Sequence, residues 1–126
     1  MRVVDTSAWI EYLSETPCGD RVDVELPRRD DWLVPTIIQL ELMKWLRRTQ
    51  GEGAAKAVMA FYDTCVVADL DTEIAISAAS LSVTHKLATA DAIVYATAQA
   101  HGADVLTCDR HFQHLPGVLF IPKHDA

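Results

Sequence analysis

The chain has 126 residues, half of them hydrophobic, with 18 acidic against 11 basic side chains and a formal charge of −7. That length suits one compact domain, residues 1–126, with an ordinary core, and the composition argues against a disordered chain. The acidic balance argues against a generic nucleic-acid coat protein, though not against an enzyme that works on nucleic acid.

In chain order, Arg2 to Asp5 predicts a first strand and Thr6 to Leu13 a helix. Thr16-Pro17-Cys18-Gly19 breaks that helix, and the charged segment to Arg29 is ambiguous. Trp32 to Pro35 predicts a second strand. Thr36 opens a strong helix to about Gln50, with Gln39 completing a capping-box pattern, and Gly51 and Gly53 permit a turn into another helix reaching Tyr62. Cys65 to Ala68 predicts a third strand, Asp71 caps a helix to about Leu87, and Thr89 caps another that stops at Gly102. Val105 to Thr107 and Val118 to Ile121 predict the last two strands. Strands separated by helices imply parallel pairing, hence an α/β/α sandwich around a sheet of about five strands. No repeat, low-complexity segment or linker interrupts the pattern.

No apolar stretch is long enough to span a bilayer, and the strand pattern starts at once, without a secretory signal. Three cysteines (Cys18, Cys65, Cys108) without a C-x-x-C pair read as reduced thiols, so the expected location is the cytoplasm.

Four carboxylates stand where a carboxylate is out of character. Asp5 ends the first strand, Glu41 interrupts an apolar helical face, Asp91 lies in the first turn of its helix, and Asp109 follows the fourth strand. Each has a plainer reading. Asp5 could cap the next helix, Glu41 could sit at the edge of the apolar stripe, Asp91 could answer the helix dipole, and Asp109 could be a turn residue. Glu41 is the sharpest, because Ile37, Glu41 and Trp45 share one stripe that should face the sheet. Together, four oxygen ligands arriving near strand ends suit a hard cation such as Mg²⁺ or Mn²⁺, and such ends are where α/β folds build sites. Two such ions could serve an in-line phosphodiester displacement.

A nuclease with this charge needs a local basic surface. Lys44, Arg47 and Arg48 share helical spacing, and Arg28, Arg29 and Arg110 are further candidates, although a solvated helix face is the plainer and favoured explanation for the first three. Cys108, His111 and His114 have zinc-like spacing but no fourth ligand nearby, so His111 is read as lining a cleft rim or packing. His85, His101 and His124 are expected at the surface. Trp9, Tyr12, Trp45 and Phe61 are read as core or interface before RNA-stacking platforms, with Trp45 and Phe61 in packing or a dimer interface.

The segments Val3-Val4-Asp5-Thr6-Ser7-Ala8-Trp9, Val34-Pro35-Thr36 to Glu41-Leu42, Ala88 to Ile93, and Leu106 to Phe112 carry a further signal in their order and spacing. As a set they resemble a PIN domain, and more narrowly the VapC-type toxins of type II toxin–antitoxin (VapBC) pairs. The resemblance covers essentially the whole chain. It implies that the first and fourth strands are adjacent at the centre of the sheet. It implies that Asp5, Glu41, Asp91 and Asp109 are the catalytic, metal-holding quartet, with Thr107 and either Thr6 or Ser7 as supporting hydroxyls. It further implies Mg²⁺-dependent cleavage of RNA leaving 5′-phosphate and 3′-hydroxyl ends, homodimers, and inhibition by a cognate antitoxin protein. Lys44, Arg47, Arg48 or Arg110 would then steady the strand. Two rivals are a binding-only domain of the same fold and a phospho-acceptor domain using Asp69 and Lys123, which leaves Glu41 and Asp91 unexplained.

Overall fold

Short β-branched runs alternate with amphipathic helices, and the computed structural model, which describes residues 1–124, turns that alternation into a five-stranded parallel sheet flanked by six helices. The last two residues of the expected domain lie outside the described residues. The strands are β1 (Arg2–Val4), β2 (Trp32–Pro35), β3 (Val66–Ala68), β4 (Asp104–Thr107) and β5 (Val118–Phe120). The helices are α1 (Thr6–Leu13), α2 (Pro17–Glu25), α3 (Thr36–Thr49), α4 (Glu52–Tyr62), α5 (Thr72–His85) and α6 (Thr89–Ala100), with 3₁₀ turns at Arg29–Asp31 and Arg110–Phe112. None is long and apolar enough to cross a membrane.

The strand order is β3-β2-β1-β4-β5, so β1 and β4 meet at the centre, with Val3 opposite Val105 and Val4 opposite Leu106. Sequence neighbours run outward from β1 in one direction and then restart on its other side, which makes the β1/β4 junction the topological switch point. Val3, Val4, Leu33, Val34, Val105 and Leu106 are almost fully buried, as a parallel sheet covered on both faces requires.

Three local readings are corrected. Thr36 does not cap α3: Pro35 holds the extended cap position without a side-chain bond, and the Thr36 hydroxyl accepts from the Leu70 amide at 3.3 Å. Thr89 is the first residue of α6, preceded by Ala88 at the cap. The ambiguous segment after Thr16 contains α2, whose start is a Thr16 hydroxyl accepting from the Gly19 amide at 2.9 Å with Pro17 at the first helical position. Asp71 does cap α5, accepting from the Ile74 amide at 2.9 Å.

Gly19 lets α2 cross α1 at backbone contact, since a Cβ there would lie 2.2 Å from the Glu11 carbonyl oxygen. The aromatic residues mostly fill the core. Trp9 packs on Trp32 at 5.2 Å and on Phe61 at 5.8 Å between ring centres, and Trp45 is half-buried against the hydrophobic core, whereas Tyr12 is exposed.

Candidate metal centre

The switch point delivers Asp5 first. Its amide donates to the Leu106 carbonyl at 2.9 Å, so the residue is held beside β4 before α1 begins. It occupies the cap position of α1, yet its carboxylate makes no capping bond. Instead one oxygen, Oδ2, accepts from Thr107 Oγ1 at 2.8 Å and from Ser7 Oγ at 2.9 Å. Those two hydroxyls in turn accept backbone N–H bonds, Ser7 from Cys108 and Thr107 from Asp109, each at 3.0 Å. Each hydroxyl has one proton and spends it on Asp5, so the turn after β4 and the first acid are fixed by one network.

Asp5 is only 5 % exposed. Burial pushes its carboxyl above the ordinary value, the Thr107 and Ser7 bonds pull it back, and the Glu41 charge pushes it up again.

Glu41 is half-buried at the edge of its stripe, which corrects the expectation that it faces the sheet. The fully buried ridge of α3 is Ile38, Leu42 and Leu46 at i, i+4 and i+8, leaving Ile37, Glu41 and Trp45 on its flank. That flank turns Glu41 towards α1, where Thr6 Oγ1 donates to its Oε1 at 2.8 Å. Of the two hydroxyls considered for orienting Asp5, Ser7 does so and Thr6 serves Glu41.

Asp91 arrives from the first turn of α6 and is half-buried. Its carboxyl is pushed up to about 6, chiefly by burial and then by Asp109, Asp5 and Glu41, with His111 opposing. Asp91 thus senses the other three acids, and Asp5 senses Glu41, at the same end of the sheet. Asp109 caps the 3₁₀ turn, its Oδ1 accepting from the His111 amide at 2.9 Å. The expected turn role is thus real, and it coexists with membership of the cluster.

His111 is the residue that the sequence reading leaves at a rim or in packing. Its Nδ1 lies 3.1 Å from Asp109 Oδ1 and 4.0 Å from Asp91 Oδ2, and ligand atoms of these three residues fall within 4.8 Å of one another. Among the described residues, His111 is the only partner within ion-pairing distance of the four acids. An Asp-x-His pair over a three-residue turn is the signal that could have found it. The zinc-like triplet does not assemble, because Cys108 points into the core with its Sγ 3.3 Å from Cys18 Sγ while His114 is exposed.

Asp91, Asp109 and His111 form a group that could hold a cation, Asp5 and Glu41 act on Asp91 electrostatically without joining that group, and no Lys or Arg pairs with the four acids among the described residues. The donor set is almost all oxygen, which fits Mg²⁺ or Mn²⁺, and nitrogen from His111 suits Mn²⁺ somewhat better.

The basic candidates separate. Lys44 and Arg48 are exposed on α3, three and seven residues beyond Glu41 and so on its side of the helix. Arg47 is bound to Glu52 at 3.1 Å. Arg28 lies 3.7 Å from Asp30 and Arg29 sits over the Phe61 ring, both before the start of β2 and so at the opposite end of the sheet from the acids. Arg110 is exposed directly after Asp109.

A family model described as the PIN domain matches residues 2–118. Among solved structures, a toxin–antitoxin complex from Klebsiella pneumoniae is similar at 24% identity and a TM-score of 0.81, covering all of both chains. Mycobacterium tuberculosis VapC20, described as a sarcin–ricin loop cleaving toxin, is similar at 20% identity and a TM-score of 0.77, covering 97% of this chain and 100% of that one. FitAcB from Neisseria gonorrhoeae is similar at 25% identity and a TM-score of 0.72, covering 99% and 100%. No curated protein sequence matches.

Proposed function

Since this chain belongs to the PIN-domain family, we propose that it is a metal-dependent endoribonuclease and the toxin half of a toxin–antitoxin pair. The observation that carries the reading is the buried Asp5 carboxylate, locked by Thr107 and Ser7 and sharing its surroundings with three further acids. A purely structural role would not place four mutually repelling carboxylates at the switch point of the sheet. The solved relatives include toxin–antitoxin complexes and a toxin that cleaves the sarcin–ricin loop, which supports both the activity and the partner.

Asp5, Glu41, Asp91 and Asp109 would hold Mg²⁺, with Mn²⁺ as a substitute, and His111 stands beside the last two. A bound divalent ion supplies charge stabilisation on the phosphoryl oxygens and makes water more acidic. The chain's own residues then do the rest. Ser7 and Thr107 keep Asp5 in one rotamer and leave its Oδ1 free of them. Thr6 fixes the angle of Glu41. Without a cation, burial and the neighbouring acids push the Asp91 carboxyl up to about 6, a charge conflict that a bound ion would relieve. His111 orders Asp109 and borders the path of the strand. The products would carry 5′-phosphate and 3′-hydroxyl ends, and the working form would be a cytoplasmic homodimer silenced by its antitoxin.

Asp69 is exposed after β3, beyond the carboxylate groups that Asp91 senses, so the phospho-acceptor reading gains no support. The test is cleavage of a mixed RNA pool by antitoxin-free protein. Cuts are expected with Mg²⁺ or Mn²⁺, and none with EDTA or with Asp5→Asn. Equal cleavage by Asp5→Asn would sink the assignment.

A further inference from the structure

We propose that a hollow beside Asp109 grips the phosphate backbone of the RNA next to the bond cut, through Arg110 and Lys123. The inference rests on the nuclease reading and adds the side chains that hold the substrate. The hollow has a volume of about 340 Å³ and is lined by Cys108, Asp109, Arg110, His111, Lys123 and His124. Its walls are the 3₁₀ turn after β4 and the segment after β5.

Asp109 belongs both to this hollow and to the acid cluster, so a strand whose scissile phosphate lies at the acids runs on into it. Four of the six lining residues are basic types and one is acidic. Arg110 and Lys123 are exposed, and among the described residues neither is within ion-pairing distance of a carboxylate. Other cations are already committed, Arg2 to Asp104 and Glu25, and Arg47 to Glu52. The volume falls near the bottom of the range of about 300–1,000 Å³ typical of ligand sites, room for a phosphate and its sugar. Lys44 and Arg48 on α3 form a second basic edge beyond Glu41. The acidic centre thus lies between two cationic borders, which gives an acidic protein a path for a polyanion.

The chemistry favours RNA over a protein occupant. Arg110 and Lys123 carry no ion-pair partner among the described residues, so the hollow attracts a polyanion and repels a basic protein side chain.

The test uses the full chain freed of antitoxin and a labelled single-stranded RNA oligonucleotide of mixed sequence. Binding is measured in EDTA over a salt series, and cleavage of the same RNA in Mg²⁺. Arg110→Gln and Lys123→Gln should each flatten the slope of log affinity against log salt by about 0.7, weakening binding about fivefold at 0.1 M salt. In Mg²⁺ the loss should fall on KM, with kcat kept within about twofold. Arg28→Gln makes the same charge change at the far end of the sheet and should alter neither reading. Wild-type slopes and KM in both variants would overturn the proposal, as would wild-type protein that binds no RNA, or variants that lose antitoxin affinity while holding RNA normally. The nuclease reading fails separately, through an inert wild type or an active Asp5→Asn. The binding arm in EDTA still decides the role of the hollow in either case.

Discussion

Replacing Asp91 by Asn should stabilise the metal-free protein near neutral pH. The Asp91 carboxyl is pushed from an ordinary 3.8 up to about 6, mainly by burial and next by the Asp109 charge. Below about pH 4 the group is protonated in the folded and unfolded chains alike, and the shift has no effect. As pH rises from there through 6, the unfolded chain releases a proton that the folded protein still holds. Stability therefore falls across that window, and the full deficit persists above it. At face value the shift is worth about 3 kcal/mol. The side chain is 20 % exposed, so solvent screens part of this. Asn also forfeits a first-turn charge that favours the helix N-terminus by about 0.3–1 kcal/mol. A net gain of about 1–2 kcal/mol is expected, or about 3–8 °C in Tm for a domain of this size.

Urea titrations of wild type and Asp91→Asn in EDTA, followed by circular dichroism at about pH 4 and about pH 7.5, read the difference directly. The variant should gain only at the higher pH. Added Mg²⁺ should reverse the order, because an ion that binds the folded wild type more tightly stabilises it by mass action. Equal or lower stability of the variant at the higher pH in EDTA, or a gain that persists at pH 4, would refute the reasoning.

Two further predictions concern the packing around the site. Thr107→Val keeps the shape of a fully buried side chain but strips Asp5 of one donor and the Asp109 amide of its acceptor. It should cost about 1–3 kcal/mol in urea denaturation and slow RNA cleavage about tenfold or more, and an unchanged rate would mean that the hydroxyl does not position Asp5. Gly19→Ala should cost about 1–3 kcal/mol, because its Cβ would meet the Glu11 carbonyl oxygen at 2.2 Å. Gly53→Ala, in open space within α4, should be neutral or stabilising by up to about 1 kcal/mol, and equal effects of the two in thermal melts would contradict the packing of α2 on α1.

The sheet was legible because its strands are short apolar runs bounded by helix signals, whereas the central pairing of the first and fourth strands came from the resemblance to PIN domains. What escaped depends on contacts made at a distance. The segment after Thr16 carries too many charges for a clear apolar stripe, yet it holds a helix because Val22 and Cys18 are buried under it and Gly19 lets it sit directly on α1. Thr36 and Thr89 were each one position from a cap, a distinction set by whether the preceding backbone is extended. Glu41 was read as facing the sheet, but its degree of burial depends on which of two adjacent stripes of α3 meets the core. Spacing alone did not separate Ile37 from Ile38. His111 was undervalued because only the 3₁₀ turn shows which way its ring points. Arg47 offered the right charge and spacing, and the turn at Gly51 hands it to Glu52.

The bond from Thr107 to Asp5 joins residues 102 positions apart. While the chain is being made, Asp5 waits for the strand that pairs with β1 and for the hydroxyl that orients it, both of which come about 100 residues later. At about 5–20 residues per second, this interval lasts about 5–20 s. All six described helices precede β4 in the chain, so they are made before the centre can close. Pairing the first strand with the fourth also makes assembly of this centre depend on a long-range contact, of the kind that forms slowly. The topology thereby ties completion of the site to the pairing of strands that lie far apart in the chain.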